Sequence, residues 1–127
     1  RLAAQRESID VVYDQVGSPT YARDLAEAVM TVIQHIVDHP GSVSQLRGVY
    51  HYCNQGVCSW YDLAVAIVEL EGLELEIRPV RTAAFPTPAR RPHYSVLDTE
   101  KIRSTFGMGI PYWRDSLANC LQVLKED

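Results

Sequence analysis

The order of apolar and polar residues predicts alternating strands and helices. A β-branched run from Ile9 to Tyr13 is typical of a strand. Beyond it, apolar residues recur at helical spacing, with polar residues on the opposite side of the same helix. The apolar positions of this long helix are Leu25, Val29, Val32, Ile33 and Ile36. One apolar face of this kind predicts that the helix packs on a sheet.

Two further segments have strand character. Val49–Cys53 is a second apolar run, and Asn54–Gly56 after it is typical of a turn. Leu75–Val80 alternates apolar and polar residues, as a half-exposed strand does. Pro79 within it predicts an edge position or an early end of the strand.

Three helices are expected in the second half of the chain. Ser59 and Asp62 form a capping box at the start of the first. Asp98 is a suitable N-cap for a short second helix, and a last helix begins near Tyr112. The expected core-facing residues are Trp60, Leu63, Ala64, Ile67 and Val68 in the first helix, and Trp113, Leu117, Cys120, Leu121 and Leu124 in the last. The fold class is therefore α/β, with one small sheet and packed helices.

Composition excludes several classes of protein. The 127 residues suit one domain, and 46% hydrophobic with 22% charged residues is ordinary for a globular protein. A net charge of −4 argues against a general nucleic-acid or membrane-surface binder. No apolar run is long enough to span a membrane. The three cysteines lack zinc-site spacing and indicate reduced thiols in a cytoplasmic protein.

The segment Asp14–Thr20 joins the first strand to the first long helix. Gly17 permits a backbone turn, and Pro19 is suited to a first helical turn. Free backbone N–H groups there, with the hydroxyls of Ser18 and Thr20, either cap the helix or hold a carbonyl, hydroxyl or phosphate. Residue types alone leave both alternatives open.

Four arginines lie close together in the sequence of this acidic chain. Arg78 and Arg81 precede, and Arg90 and Arg91 lie within, a stiff segment that runs from Ala83 to Pro92 and contains three prolines. A guanidinium group binds phosphate oxygens in a bidentate way, so a diphosphate site is one interpretation. Four solvated surface arginines are the alternative.

Four motifs in order resemble the dTDP-4-dehydrorhamnose reductases, which are sugar-nucleotide enzymes of the extended short-chain dehydrogenase class. The resemblance covers nearly the whole chain. The motifs are Asp14-Gln15-Val16-Gly17-Ser18-Pro19-Thr20-Tyr21, Gly48-Val49-Tyr50-His51-Tyr52-Cys53-Asn54, Cys58-Ser59-Trp60-Tyr61, and the stretch from Pro86-Thr87-Pro88-Ala89-Arg90-Arg91-Pro92 to Asp98.

The resemblance implies that residues 1–127 are the C-terminal substrate-binding region of such an enzyme, with residues 1–20 continuing from a missing Rossmann half. The stretch Arg1–Glu7 has the pattern of the end of a helix, as expected for a fragment. Enzymes of this family bind NADPH or NADH through a Gly-rich loop and protonate the sugar with a Tyr-x-x-x-Lys pair. Neither motif occurs here, so this chain alone is expected to be inactive and to bind no cofactor. No acidic cluster supports a metal site either.

The resemblance also assigns candidate site residues for a dTDP-sugar. An Arg-Pro motif of the family contacts the nucleotide diphosphate, and Arg91 before Pro92 is the matching position. Tyr94 and Ser95 line the nucleotide cleft or serve only in packing. The candidate substrate-binding residues are Arg91, Arg90, Gln15, Ser18, Thr20, Tyr94 and Ser95.

Two other classes of function stay open at this point. A related chain acts as a non-catalytic regulatory subunit of methionine adenosyltransferase, and a free-standing protein-interaction module is the second alternative. If another half of the protein covers part of this chain, uncovered apolar surface predicts self-association of the chain alone.

Overall fold

The computed structural model describes residues 6–126. It contains, in chain order, β1 (Ser8–Val12), β2 (Val16–Gly17), α1 (Ala22–Asp38), β3 (Cys58–Ser59), α2 (Trp60–Glu71), β4 (Glu76–Val80), α3 (Glu100–Phe106) and α4 (Trp113–Glu126). Short 3-10 helices occupy Pro40–Ser42 and Thr82–Ala84. The sequence predicts the end of a helix over residues 1–7. Residues 1–5 of this segment lie outside the described part. Within that part, no helix is long and apolar enough to cross a membrane.

Two small sheets replace the single sheet that was expected. β1 pairs with β4 in parallel, from Ser8↔Glu76 to Val12↔Val80. β2 pairs with β3 antiparallel through two residues. Pro79 has no N–H to donate, and β4 has one partner strand among the described residues, as its expected edge position requires.

Helix α2 lies at the centre of the fold. It packs against β1, β4, β3 and α4. Ala66 on this helix is 0% exposed, and it packs with Cys58 and Trp113 in a cluster that Leu63 and Leu117 flank. Small side chains such as Ala66 let neighbouring elements approach the helix closely, so the core is compact around its middle turns.

The ends of α2 agree with the sequence. The side chain of Ser59 accepts a hydrogen bond from the Asp62 amide, and the Ser59 amide donates to Asp62 Oδ2 over 2.8 Å. Gly72 ends the helix with φ of 60°, in the left-handed region that glycine favours. The predicted capping box is therefore confirmed.

Several local predictions are wrong. Val49–Cys53 forms no strand among the described residues, and Val49 is 74% exposed. Trp60, expected in the core, is exposed, as is Leu124 at the end of α4. The N-cap of α3 is Thr99, although Asp98 does accept a hydrogen bond from the Glu100 amide.

Helix α1 also differs from expectation because no sheet of the described part covers it. α1 contacts α3 and the 3-10 turn Pro40–Ser42 that follows α1 in the chain. The ring of His35 lies edge-on to the ring of Phe106, with 5.3 Å between the ring centroids. Only Ala28 is buried on this helix. Val32 and Ile36 are half-buried, and the open part of its apolar face is formed by Leu25, Val29, Met30, Ile33 and Val37.

Candidate functional site

A cleft of about 280 Å³ lies where the turn after β1, the start of α2 and the end of the Pro-rich loop meet. Its polar and charged lining residues are Gln15, Ser18, Ser59, Arg91 and Ser95. The remaining lining is formed by Val16, Gly17, Pro19, Cys58, Trp60, Leu63 and Pro92. Mixed walls of this kind, with few polar groups among apolar ones, are typical of small-molecule sites.

Backbone pairing around Val16 brings the three segments together. The Val16 amide donates to the carbonyl of His93 over 2.8 Å, and the Ser95 amide donates to the carbonyl of Val16 over 2.9 Å. On its other side Val16 pairs with Ser59 in the β2–β3 ladder. Residues far apart in the sequence are therefore held in one wall by main-chain hydrogen bonds.

A close approach of another segment favours glycine at position 17. Its φ is not in the left-handed region, so the backbone turn expected at this glycine is not the reason for it. An added Cβ would lie 3.0 Å from Ser95 Oγ. The absence of a side chain at Gly17 thus lets the loop carrying Ser95 close against β2.

The structure brings four of the seven candidate residues into the cleft: Gln15, Ser18, Arg91 and Ser95. Arg91 is the only charged side chain among the described residues that line it. Arg90, its neighbour in sequence, is exposed and lies outside the lining. Tyr94 is 66% exposed and bridges to Val16 through the backbone.

Thr20 belongs to a neighbouring cavity of about 340 Å³ between the start of α1, α2 and α4. Its hydroxyl donates to the carbonyl of Ser18 over 3.3 Å. Neither Thr20 nor Ser18 caps α1, because this helix begins at Ala22 with Tyr21 as N-cap and no side-chain cap bond. Pro19 therefore precedes the helix and does not lie in its first turn.

The side chains on the cleft floor are oriented by hydrogen bonds. Ser18 Oγ donates to the carbonyl of Gly56 over 2.7 Å. Ser95 Oγ donates to the carbonyl of Val16 over 3.1 Å. Both hydroxyls are therefore directed by backbone groups of the fold.

Gln15 is oriented through Thr82 and Asp14. Thr82 donates to Asp14 Oδ1 from its hydroxyl over 2.6 Å and from its amide over 2.8 Å. Gln15 Nε2 donates to the same Thr82 oxygen over 3.0 Å. The hydrogen bond from the Thr82 hydroxyl is the main cause that lowers the pKa of Asp14 below its usual 3.8.

Trp60 forms an apolar side of the cleft. It is 53% exposed, with its neighbour Ser59 buried as the N-cap of α2. An exposed indole beside a binding cleft offers a flat surface on which a ring of a ligand stacks. The sequence analysis placed Trp60 in the core because the helical spacing of α2 does not reveal which of its sides meets other elements.

A buried group of polar side chains next to the cleft was missed by the sequence analysis. Asn54 is 1% exposed, accepts a hydrogen bond from the Tyr21 amide over 2.8 Å, and donates to Asp24 Oδ2 over 2.6 Å and Ser116 Oγ over 2.9 Å. Ser116 in turn donates to Asp24 over 2.5 Å. We call Asn54, Asp24 and Ser116 the Asn54 cluster. Only the motif around Asn54 signalled it, because the partners lie far apart in the sequence.

The Asn54 cluster fixes the segment that supports Ser18. Gln55, next to Asn54, donates to the carbonyl of Pro111 over 2.8 Å and accepts from the Trp113 amide over 2.9 Å. Gly56 follows with φ of 89° and presents its carbonyl to Ser18. The start of α1, the Asn54–Gly56 turn and α4 are thus joined beside the cleft.

Cys58 is the one thiol among the described residues that line the cleft. Burial raises the pKa of the Cys58 thiol to about 11, so it stays protonated near neutral pH. All three cysteines are free. Within residues 6–126, no group of three or more acidic, His or Cys side chains is placed to hold a metal ion.

The helix starts near the cleft do not suit the pyrophosphate of a nicotinamide cofactor. At α1, the Tyr21 amide is engaged by Asn54, and Asp24 lies in the first turn. At α2, the Asp62 carboxylate already occupies the capping site. A carboxylate at a helix N-terminus repels the anion that such a terminus otherwise attracts. These two helix starts therefore do not fit the pyrophosphate of a dinucleotide.

The sequence matches a known family over almost its full length. Residues 1–126 match the family model described as RmlD substrate binding domain. The spore coat polysaccharide biosynthesis protein SpsK of Bacillus subtilis is 41% identical over 122 residues, which cover 96% of this chain and 39% of SpsK. The dTDP-4-dehydrorhamnose reductase of Sinorhizobium fredii is 37% identical over 128 residues, covering 98% of this chain and 43% of that enzyme.

A solved structure agrees with these sequence matches. The crystal structure of dTDP-4-dehydrorhamnose reductase from Bacillus anthracis in complex with NADP superposes with a TM-score of 0.82 at 34% identity, over 94% of this chain and 39% of that one. The α/β class with small sheets and packed helices is therefore confirmed. The chain spans about two fifths of the length of the relatives it matches.

Proposed function

Because this chain belongs to the family of RmlD substrate-binding domains, we propose that it forms the sugar-nucleotide wall of a dTDP-4-dehydrorhamnose reductase. In this proposal residues 1–127 are the C-terminal substrate-binding region, and residues 1–20 lead in from a half that binds NAD(P)H. The whole protein reduces the 4-keto group of dTDP-4-dehydro-L-rhamnose to give dTDP-L-rhamnose in the cytoplasm. Nicotinamide and the Tyr-x-x-x-Lys pair come from the other half.

The observation that carries the proposal is the placement of Arg91. It is the one charged side chain among the described lining residues of the cleft, and the proline after it, Pro92, lines the cleft too. A guanidinium group on a stiff Pro-rich loop is suited to bidentate binding of diphosphate oxygens, because the backbone that carries it loses little conformational freedom on binding. Arg91 is therefore the proposed diphosphate ligand, and Arg90 is not.

Two uncovered surfaces support a second half of the protein as a partner. The apolar face of α1 is open, and Val49–Cys53 has strand character but no strand partner within residues 6–126. Both features are explained together if a sheet from the remaining three fifths of the relatives' length packs on α1 and pairs with Val49–Cys53.

The chain without that half is proposed to self-associate through the same open face of α1, since exposed apolar patches of this kind drive association. Light scattering over a range of concentrations measures this. A monomer that persists at high concentration contradicts the proposed self-association and leaves the substrate proposal in place.

Calorimetric titration of the chain with dTDP tests the proposed function. Arg91→Ala is expected to weaken binding about 10-fold or more, in line with the loss of a charge-assisted hydrogen bond. Arg90→Ala is the matched control, because it removes the same charge one residue away, outside the cleft. Absence of dTDP binding by the unmodified chain, or equal losses in the two variants, would overturn the assignment.

A further inference from the structure

We propose that Ser18, Ser95 and Gln15 present hydrogen-bond acceptors to the cleft and thereby select ligands whose sugar carries hydroxyl donors next to the anionic group. The inference rests on the proposed function and adds to it the residues that recognise the hexose. It follows from which groups accept hydrogen bonds from these side chains within the protein.

Ser18 has one hydroxyl proton, and the Gly56 carbonyl takes it over 2.7 Å. That carbonyl directly follows Gln55, whose amide and carbonyl pair with Pro111 and Trp113. The remaining capacity of Ser18 Oγ is its lone pairs. Toward the cleft, Ser18 is therefore an acceptor.

Ser95 repeats this arrangement on the facing segment. Its hydroxyl donates to the Val16 carbonyl over 3.1 Å, within a backbone pairing that also ties the Ser95 amide to Val16. Gly17 has no side chain to displace this hydroxyl, since an added Cβ there would lie 3.0 Å from Ser95 Oγ. Ser95 thus also has only lone pairs left for a ligand.

The amide of Gln15 is oriented by the same logic. Thr82 Oγ1 gives its proton to Asp14, so it can only accept from Gln15. Gln15 must therefore turn its nitrogen toward Thr82, and its Oε1 is left as an acceptor. Ser59, the remaining polar lining residue, both donates to and accepts from Asp62 and has little left to offer a ligand.

Arg91 is the complement of these acceptors, since a guanidinium group only donates. Its natural ligand is an anion that accepts, while the three acceptors need a neighbouring group that donates. A phosphate ester of a polyhydroxylated sugar has both parts. Pyrophosphate alone has the accepting anion but no hydroxyl donors, and a deoxygenated sugar lacks those donors.

Calorimetric titration with two ligands tests the inference, namely dTDP-glucose, which carries hexose hydroxyls, and dTDP, which does not. In Ser18→Ala and in Ser95→Ala, the affinity for dTDP-glucose is expected to fall about 3- to 10-fold, and the affinity for dTDP to change less than about twofold. Ser104→Ala, on the exposed side of α3, is the control for loss of a serine hydroxyl. The ratio of the two affinities is unaffected by partial unfolding, because both ligands report on the same folded molecules.

Equal losses of affinity for dTDP-glucose and dTDP, or no loss of affinity in either serine variant, would overturn the inference. In that case the proposed function still stands if binding of dTDP depends on Arg91. Loss of Arg91 dependence would instead remove the proposed function. The two failures are therefore distinguishable in one set of titrations.

Discussion

The Asn54 cluster and the cleft are both built from polar side chains, yet their hydrogen bonds go to different places. In the Asn54 cluster the side chains bond to one another and to main-chain groups of Tyr21 and Pro111, and Asn54 and Ser116 are almost completely buried. In the cleft, Ser18 and Ser95 donate to backbone carbonyls and retain acceptors that face the open space. The first arrangement uses its hydrogen-bonding capacity within the protein, whereas the second leaves part of it for a ligand.

This difference predicts that stability and binding separate along the chain. Removing one member of a buried network leaves its partners unsatisfied, which costs more than the bond itself. Removing a group whose remaining capacity faces solvent affects the ligand and leaves the fold nearly unchanged. Substitutions in the two regions should therefore change different measured quantities.

The largest effect is expected for Asn54→Ala. This change removes the acceptor of the Tyr21 amide and the donor to Asp24, and it leaves a small cavity. We expect the free energy of unfolding to fall by about 3 kcal/mol. Urea denaturation measures it, with Asn119→Ala on the exposed side of α4 as a matched control that changes stability by less than about 0.5 kcal/mol.

A loss below about 1 kcal/mol for Asn54→Ala would show that the Asn54 cluster is not a stabilising network. A fall in dTDP affinity larger than the unfolded fraction explains would mean that the two regions are not separable.

Gly56→Ala should link the two regions, since Gly56 lies between them. Its φ of 89° is unfavourable for alanine, and the added Cβ would lie 2.3 Å from a ring carbon of Tyr112. We expect a loss of stability of about 2 kcal/mol together with weaker binding of dTDP-glucose, because the carbonyl that orients Ser18 must move. Thermal unfolding and calorimetry measure the two effects.

Gly109→Ala is the control for Gly56→Ala, because a Cβ there meets nothing within 4 Å. If Gly56→Ala changed stability alone, the carbonyl of residue 56 would not be what orients Ser18 for binding.

The smallest effect concerns Asp14 behind the cleft. Its pKa in the folded state is below 3.8, so its contribution to stability is present above about pH 3.8 and is lost as the pH falls through the lower folded value. Thr82→Val removes the hydroxyl that donates to Asp14 and is expected to raise the Asp14 pKa toward 3.8. An NMR titration of the Asp14 carboxyl measures this.

Thr87→Val, in the exposed Pro-rich loop, is expected to leave the pKa of Asp14 unchanged. An unchanged Asp14 pKa in Thr82→Val would contradict the assignment of the Thr82 hydroxyl as the main cause.

Features decided by neighbouring residues could be predicted from the sequence. The capping box of Ser59 and Asp62 and the end of α2 at Gly72 depend on a few adjacent positions. Features decided by distant partners could not. A strand at Val49–Cys53 needs a neighbouring strand, which the described part does not supply, and Asn54 and Ser116 are 62 residues apart.

The same distinction applies to the cleft. The motif around Arg91 made it a candidate, but only the fold separates it from Arg90, since adjacent residues in an extended loop face different directions. The hydrogen-bonding roles of Ser18 and Gln15 depend on Gly56 and Thr82, which no local pattern connects to them.

The parallel pairing of β1 with β4 has a consequence for synthesis on the ribosome. Paired residues such as Asp10 and Arg78 are 68 positions apart, so β1 leaves the ribosome long before its partner exists. At about 5–20 residues per second, the wait lasts on the order of several seconds. During that time the capping box favours the start of α2 by local contacts, whereas β1 is left as an unpaired apolar segment that a chaperone would recognise.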